Sequence, residues 1–172
     1  HLLGLRPTTD KNRESLFNLL TVGKFAKEID FDLDGANVLD VCCGTGAVAM
    51  ECLSRDANSV FLIDDNSIHL NLAEKNAQLI KSEGQCEFLL CDVMNLKQAP
   101  KKFDLIFIDP PYLEDYKEMI KNLVEKNWIG RSALVAIEFA SKNTVEELGL
   151  EDFTILDTRR YGRTSFVFAK LK

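Results

Sequence analysis

Asp109-Pro110-Pro111-Tyr112 gathers a carboxylate, a proline carbonyl and an aromatic ring within four residues. That set suits methylation of an exocyclic amino group on a planar base. Such an amine is a poor nucleophile, because its lone pair is delocalised into the ring. The Asp109 carboxylate and the Pro110 carbonyl can each accept one N–H. The remaining lone pair then points at the methyl sulfonium of S-adenosylmethionine. Pro110 and Pro111 fix this geometry in advance. Tyr112 offers a face for stacking the base, worth about 1–3 kcal/mol. Asp109, Pro110, Pro111 and Tyr112 are therefore the candidate catalytic residues. The clamp does not itself choose between bases, so an adenine-N6 methyltransferase of DNA or RNA is the leading alternative.

A second set lies upstream. A strand ending in Asp40 enters the turn Gly44-Thr45-Gly46, and a helix follows. Glycine accepts positive φ and lets the backbone approach a ligand closely. Asp64 falls at the end of the next strand, where a carboxylate can accept from both ribose hydroxyls. Asp92 falls at the end of the third, within reach of an adenine amino group. With Cys42, Asp65 and Val93 beside them, Asp40, Gly44, Thr45, Gly46, Asp64 and Asp92 form the candidate cofactor set. The spacing Gly44-x-Gly46-x-x-Ala49 also fits a dinucleotide fingerprint, which keeps a nicotinamide-dependent oxidoreductase as a more remote alternative. Hydride transfer needs an acid–base group, typically a histidine, and His69 falls in the middle of a helix. Cys42 or Cys43 as a nucleophile, as in carbon-5 pyrimidine methyltransferases, leaves Asp-Pro-Pro-Tyr without a role. A non-catalytic RNA-binding module is opposed by the intact Asp-Pro-Pro-Tyr.

These residues need strands to carry them. Leu105–Ile108 is a continuous apolar run, the pattern of a strand covered on both faces, and the two prolines after Asp109 end it. Asn37–Cys43, Ser59–Asp65, Cys86–Asp92 and Ala133–Phe139 read as further strands. Helices are expected after Thr9 or Asp10, with Leu16, Phe17 and Leu20 on one side, and over 47–55, 67–82, 114–126 and near 144–148. Two last strands meet around Gly162 as a hairpin. The expected fold is α/β: a doubly wound, mostly parallel, Rossmann-like seven-stranded sheet with a C-terminal antiparallel hairpin. A single domain over 1–172 is expected, with residues 1–28 over the active-site edge. Strand direction predicts that 153–158 runs parallel to the central strands, which puts Tyr161 and Gly162 at the same edge as Tyr112.

Hydrophobic content is 46% and charged content 28%, ordinary for a soluble globular chain. No apolar run reaches the roughly 18 residues of a membrane span, and no secretory signal is visible. The five cysteines are odd in number and lie in apolar segments, which suits reduced thiols in the cytoplasm. With no CxxC pair and two histidines, no metal site is expected. His1 in place of Met suggests a tag remnant or a trimmed N-terminus. The net charge of −6 is unevenly placed. Residues 1–27 carry five basic side chains against two acidic ones, and residues 155–172 five against one. A local basic face is enough for phosphate contacts.

RPTTDKNRESLFNLL, LDVCCGTGAVAMECLSR, FDLIFIDPPY and YGRT together resemble the bacterial 16S ribosomal RNA guanine-N2 methyltransferase family, of the class I S-adenosylmethionine-dependent fold. The resemblance covers nearly the whole chain. It implies direct in-line methyl transfer to a guanine N2 in 16S ribosomal RNA, free or within the small subunit or an assembly intermediate, by a cytoplasmic monomer. It implies Asp40, Gly44 and Gly46 on the methionine part of the cofactor, Asp64 on the ribose, Asp92 near the adenine, and Asp109, Pro110 and Tyr112 on the guanine. Arg6, Thr8, Arg13 and the hairpin residues Arg159, Arg160, Tyr161 and Arg163 would then face RNA. Cys42-Cys43 stands where the family has Phe-Ala, and a free Cys packs as a small hydrophobe. The family carries a β-hairpin before RPT, where five residues stand here.

Overall fold

The computed structural model describes residues 9–172. Strands β1 (Asn37–Val41), β2 (Ser59–Asp64), β3 (Cys86–Leu90), β4 (Leu105–Ile108), β5 (Leu134–Ala140), β6 (Phe153–Tyr161) and β7 (Thr164–Leu171) build one sheet in the order β3-β2-β1-β4-β5-β7-β6. The first five pair in parallel. β7 runs antiparallel to both β5 and β6. This is the mostly parallel, doubly wound sheet with a terminal hairpin that the sequence pattern implies. β6 therefore runs in the same sense as β5. Its turn lies at the carboxyl edge, with Tyr161 opposite Thr164 and Thr164 opposite Ala140. Gly162 takes φ +63°, as a two-residue turn of type II′ requires of its first central residue.

Each face of the sheet carries its own core. Leu39, Val41, Ile106, Ile108, Val135 and Ile137 pack against Tyr116, Met119 and Ile120 of helix α5 (Asp115–Glu125). Val38, Leu105, Phe107, Leu134, Phe166 and Phe168 pack on the other face. There they meet α1 (Asp10–Thr21), α2 (Lys24–Ile29) and α3 (Ala47–Ser54). Central strands sandwiched this way show every residue buried, which is why β4 reads as an uninterrupted apolar run. Burial of each such side chain contributes about 1.5–3 kcal/mol.

Element boundaries follow local chemistry. Thr9 caps α1 by accepting from the Asn12 N–H at 3.2 Å. α1 buries Leu16, Phe17 and Leu20 against the sheet face. The sequence pattern does not reveal α2, six residues entered through Gly23 at φ +79° and held by Phe25 against Phe168 at 4.9 Å. β1 stops at Val41 because Cys42 turns left-handed, at φ +58°. β3 stops at Leu90, and Asp92 instead caps a short 3-10 turn. Helix α4 (Ser67–Leu79) ends three residues before Ser82. The short segment near 144–148 is a 3-10 turn with a reciprocal Thr144–Glu147 capping box. All five cysteines are free thiols.

Gly46, the N-cap of α3, is a turn residue that no side chain can replace without strain. It sits at φ +75°, and an added Cβ would lie 3.0 Å from Leu62 Cδ2 and 3.1 Å from Ala73 Cβ. Gly46→Ala is expected to cost about 1–3 kcal/mol, read as a drop of several degrees in melting temperature. Gly130→Ala, where a Cβ meets nothing within 4 Å, should melt like the parent.

Candidate active site at the carboxyl edge of the sheet

The glycine turn is built against its own backbone preferences. Cys42, Gly44 and Gly46 all have positive φ, at 58°, 55° and 75°. Hydrogen bonds from neighbouring elements hold it. The Gly44 N–H donates to Asp64 Oδ2 at 2.9 Å, and the Cys43 N–H donates to the Ile63 carbonyl at 3.0 Å. Asn76 of α4 donates from Nδ2 to the Thr45 carbonyl at 3.0 Å. Asp64 Oδ1 accepts from the Asn66 N–H at 2.9 Å and lies 3.2 Å from His69 Nδ1. Asp64 is thus a buried brace. Of a carboxylate's roughly four acceptor sites, three are engaged, leaving about one for a ribose hydroxyl. Asp65, the next residue, is exposed. His69 is in the first turn of α4 rather than mid-helix, with its N–H capped by Asn66, and its ring supports the brace.

Asp40 does not end β1. It lies inside the strand, 2% exposed, on the face covered by α3. Burial pushes its carboxyl up to about 8; the Ala49 backbone N–H pulls it down, and Asp64 and Glu138 raise it further. Among the described residues its Oδ2 has no hydrogen-bond partner. An orphaned carboxylate oxygen here fits a cationic group. The same carboxylate already takes an amide near the α3 N-terminus, where a dinucleotide site would present free amides to a pyrophosphate.

β4 ends at Ile108, and the Asp109 N–H donates to the Val41 carbonyl at 3.4 Å. This bond sets Asp109 beside the start of the glycine turn. Pro110 is buried and Pro111 exposed, while Tyr112 is 64% exposed and free to present a ring face. One turn later Tyr116 is buried, and its hydroxyl donates to the Glu138 carbonyl of β5, which ties the segment after Tyr112 to the sheet. Tyr116 was missed at the sequence level, although its place four residues after Tyr112 in an amphipathic helix was a usable signal. The Cys42 thiol is pushed far above the ordinary range by burial and by Asp64 and Asp109, so it stays protonated and poorly nucleophilic. Cys43 follows it for the same reasons, burial first and Asp40 next.

The remaining candidates scatter. Asp92 is exposed and accepts from the Met94 N–H at 2.9 Å. Val93 is buried, with Asn122 donating to its carbonyl. Arg6 and Thr8 lie outside the described residues. Arg13 pairs with Asp10 at 2.7 Å. Arg159 donates from Nε to Asp157 Oδ2 at 2.9 Å, and Lys24 of α2 reaches the same oxygen at 2.8 Å. Tyr161 packs edge-on against Phe166 at 6.0 Å. Arg160 and Arg163 lie elsewhere, lining a cleft against the end of β5.

A sequence model of the family described as Conserved hypothetical protein 95 matches residues 2–170. Ribosomal RNA small subunit methyltransferase D of Haemophilus influenzae is 30% identical over 168 residues, covering 95% of this chain and 81% of its own. The protein of the same name from Escherichia coli K12 is 35% identical over 143 residues, covering 81% of this chain and 67% of its own. The chain belongs to this family. A solved Escherichia coli chain under the provisional description of methyltransferase superposes with a TM-score of 0.79 at 26% identity, over 99% of this chain and 89% of that one. The magnesium protoporphyrin IX methyltransferase of Synechocystis, at 20% identity and a TM-score of 0.71 over 94% of this chain and 79% of its own, shares the fold. In this ribosomal RNA small subunit methyltransferase D family member, Asp40 lies in β1, the glycine turn follows that strand, and Asp109 is hydrogen-bonded to its last residue.

Asp40 generates a pH signature. Its folded carboxyl titrates above its unfolded value, so folding favours the protonated form. The stability this contributes is complete below about 4, and it is lost as pH rises through about 8. Ligand-free protein should therefore weaken between those limits in chemical denaturation. Asp40→Asn should flatten that slope and raise stability at neutral pH; an unaltered slope would mean that Asp40 is not the group responsible.

Proposed function

We propose that the chain is an S-adenosylmethionine-dependent methyltransferase that acts on the exocyclic N2 of a guanine in small-subunit ribosomal RNA. The observation that carries this reading is the Val41–Asp109 backbone hydrogen bond. It sets a clamp for an amine directly beside a turn suited to a cofactor. S-adenosylmethionine, when bound, supplies an electrophilic methyl group on a sulfonium. The residues present fit it: the orphaned Asp40 oxygen suits its cationic methionine part, and the glycine turn allows close backbone approach. Asp64 and Asp65 serve the ribose, and Asp92 and Val93 the adenine. Burial of Asp40 against α3 speaks against the pyrophosphate of a nicotinamide cofactor.

The chain's own contribution is positioning. Asp109 and the Pro110 carbonyl accept the two N–H groups of the target amine. The prolines hold these acceptors fixed, so little reorganisation is needed as the amine reacts. Tyr112 stacks the base from its exposed position. No covalent enzyme intermediate forms, and the protonated thiols of Cys42 and Cys43 pack as small apolar groups. The ribosomal RNA substrate is supported by the names of the relatives. Guanine N2 is supported by the resemblance of the RPTTD, DPPY and YGRT segments. Adenine N6 is the outcome that would correct it. The protein is proposed to work as a cytoplasmic monomer, on free 16S ribosomal RNA or on an assembling small subunit.

Ribosomal RNA from a strain lacking the gene, treated with purified protein and S-adenosylmethionine and digested to nucleosides, should gain N2-methylguanosine by mass spectrometry. N6-methyladenosine in its place would transfer the clamp to adenine. Calorimetry should show binding of S-adenosylmethionine and none of NAD. Asp109→Ala should lower turnover a hundredfold or more, about 2.7–4 kcal/mol of transition-state stabilisation, with cofactor affinity nearly unchanged. Wild-type turnover in that variant would sink the clamp.

A further inference from the structure

A cleft of about 360 Å³ opens between the end of β5 and the β6–β7 turn, lined by Ala140, Ser141, Lys142, Arg160, Gly162 and Arg163. Three of these six residues are cationic, and none is acidic. The cleft is held open by backbone. The Ser141 N–H donates to the Arg163 carbonyl at 2.9 Å, and Ser141 Oγ lies 2.8 Å from Ser165 Oγ. Arg160 donates from Nε to the Gly162 carbonyl at 3.3 Å, which leaves the two terminal nitrogens of its guanidinium to face outward partners. Lys142, Arg160 and Arg163 have no carboxylate partner among the described residues. What sets them apart from other surface cations is that the three line one cleft that holds no acidic side chain.

Strand register separates neighbours that the sequence groups together. Arg159 lies opposite Phe166 and shares its face with Asp157, whereas Arg160 lies opposite Ser165 on the other face. The cleft thus takes Arg160 and Arg163, excludes Arg159, and recruits Lys142 from twenty residues upstream. It sits at the carboxyl edge two strand positions from β4, the strand that delivers Asp109. At about 4.8 Å per strand, that is a sideways offset of roughly 10 Å, and the β4–β5 register sets Ser141 and Lys142 further along the strand axis than Asp109.

We infer that Lys142, Arg160 and Arg163 form a phosphate-binding cleft that grips the RNA backbone beside the nucleotide presented to Asp109. Phosphate is the ligand that three cationic residues lining one cleft without a carboxylate select, Arg as a planar fork and Lys as a point charge. The grip fixes where the strand lies and reads no base. This deepens the ribosomal RNA reading above and rests on it.

The test measures binding of a small-subunit ribosomal RNA fragment across a salt series, with S-adenosylmethionine calorimetry and thermal melting on the same samples. The triple variant Lys142→Ala, Arg160→Ala, Arg163→Ala should weaken RNA binding at least about tenfold and flatten the log K against log salt slope by about one to two. Cofactor affinity and melting temperature should stay at wild-type values. The charge-keeping triple Lys142→Arg, Arg160→Lys, Arg163→Lys should keep the wild-type slope, and so should Arg159→Ala. A wild-type slope in the alanine triple overturns the cleft while leaving methyl transfer by the parent intact. Equal losses in the alanine and charge-keeping triples overturn it as well, by showing a structural role. A parent protein that neither binds nor methylates the RNA overturns the functional reading and the cleft together.

Discussion

Of the left-handed positions Cys42, Gly44 and Gly46, only Cys42 carries a backbone penalty. A non-glycine residue at positive φ costs on the order of 1–3 kcal/mol and survives where surrounding structure over-determines it. Here the over-determination comes from Asp64, whose carboxylate receives the Gly44 N–H while its other oxygen is occupied by Asn66 and His69. The bond joins the end of β2 to the turn after β1, and Asn76 adds a second tie from α4. The turn then aims α3 back over the sheet. That closes the apolar face on Asp40 and leaves a buried carboxyl with one oxygen unpartnered among the described residues. The same strand, one residue beyond Asp40, offers the carbonyl on which Asp109 hangs. The glycine turn and the Asp109 segment are therefore parts of one hydrogen-bonded unit.

Much of this was legible where a local pattern carries the information. β4 announced itself because burial on both faces demands an unbroken apolar run, and the two prolines can only end it. The parallel order and the late hairpin followed from alternating elements and from Gly162 between two β-rich segments. Helix α2 was not legible, because six residues carry too little periodicity and its placement depends on Phe25 meeting Phe168, a contact across most of the chain. Asp40 was read as an edge residue because a carboxylate in a buried strand is rare; its environment is set by α3, which no local rule supplies. Asp64 was read as reaching outward, whereas most of its acceptor capacity is spent on the turn. Arg159 and Arg160 could have been separated by the period of two along a strand, but the irregularity between Ile155 and Asp157 obscures the count. Lys142 carried no signal at all, since its partners arrive from the hairpin.

Charge is segregated along one edge. Asp64, Asp92 and Asp109 fall at or just after the ends of β2, β3 and β4, while Lys142, Arg160 and Arg163 line the cleft where β5 meets the hairpin. A net-negative protein can thus repel polyanions over most of its surface and still attract one strip of backbone, which favours a single orientation of approach.

The strand order has a further consequence, for how the molecule comes into being. β7 is synthesised after the other six strands, yet it lies between β5 and β6, and Phe166 and Phe168 fill the core against Leu16, Phe17 and Phe25 near the other end of the chain. Neither β6 nor the α1–α2 layer has its permanent neighbour until then. During translation the nascent chain carries an exposed strand edge and an uncovered apolar face, held for the roughly ten seconds or more that a chain of this size spends on a ribosome. Contacts of such long sequence separation also make folding slow. A stop codon before β7 would leave every residue of the proposed amine clamp in the chain on a sheet that cannot close, so quality control, rather than residual activity, would decide the fate of the truncated product.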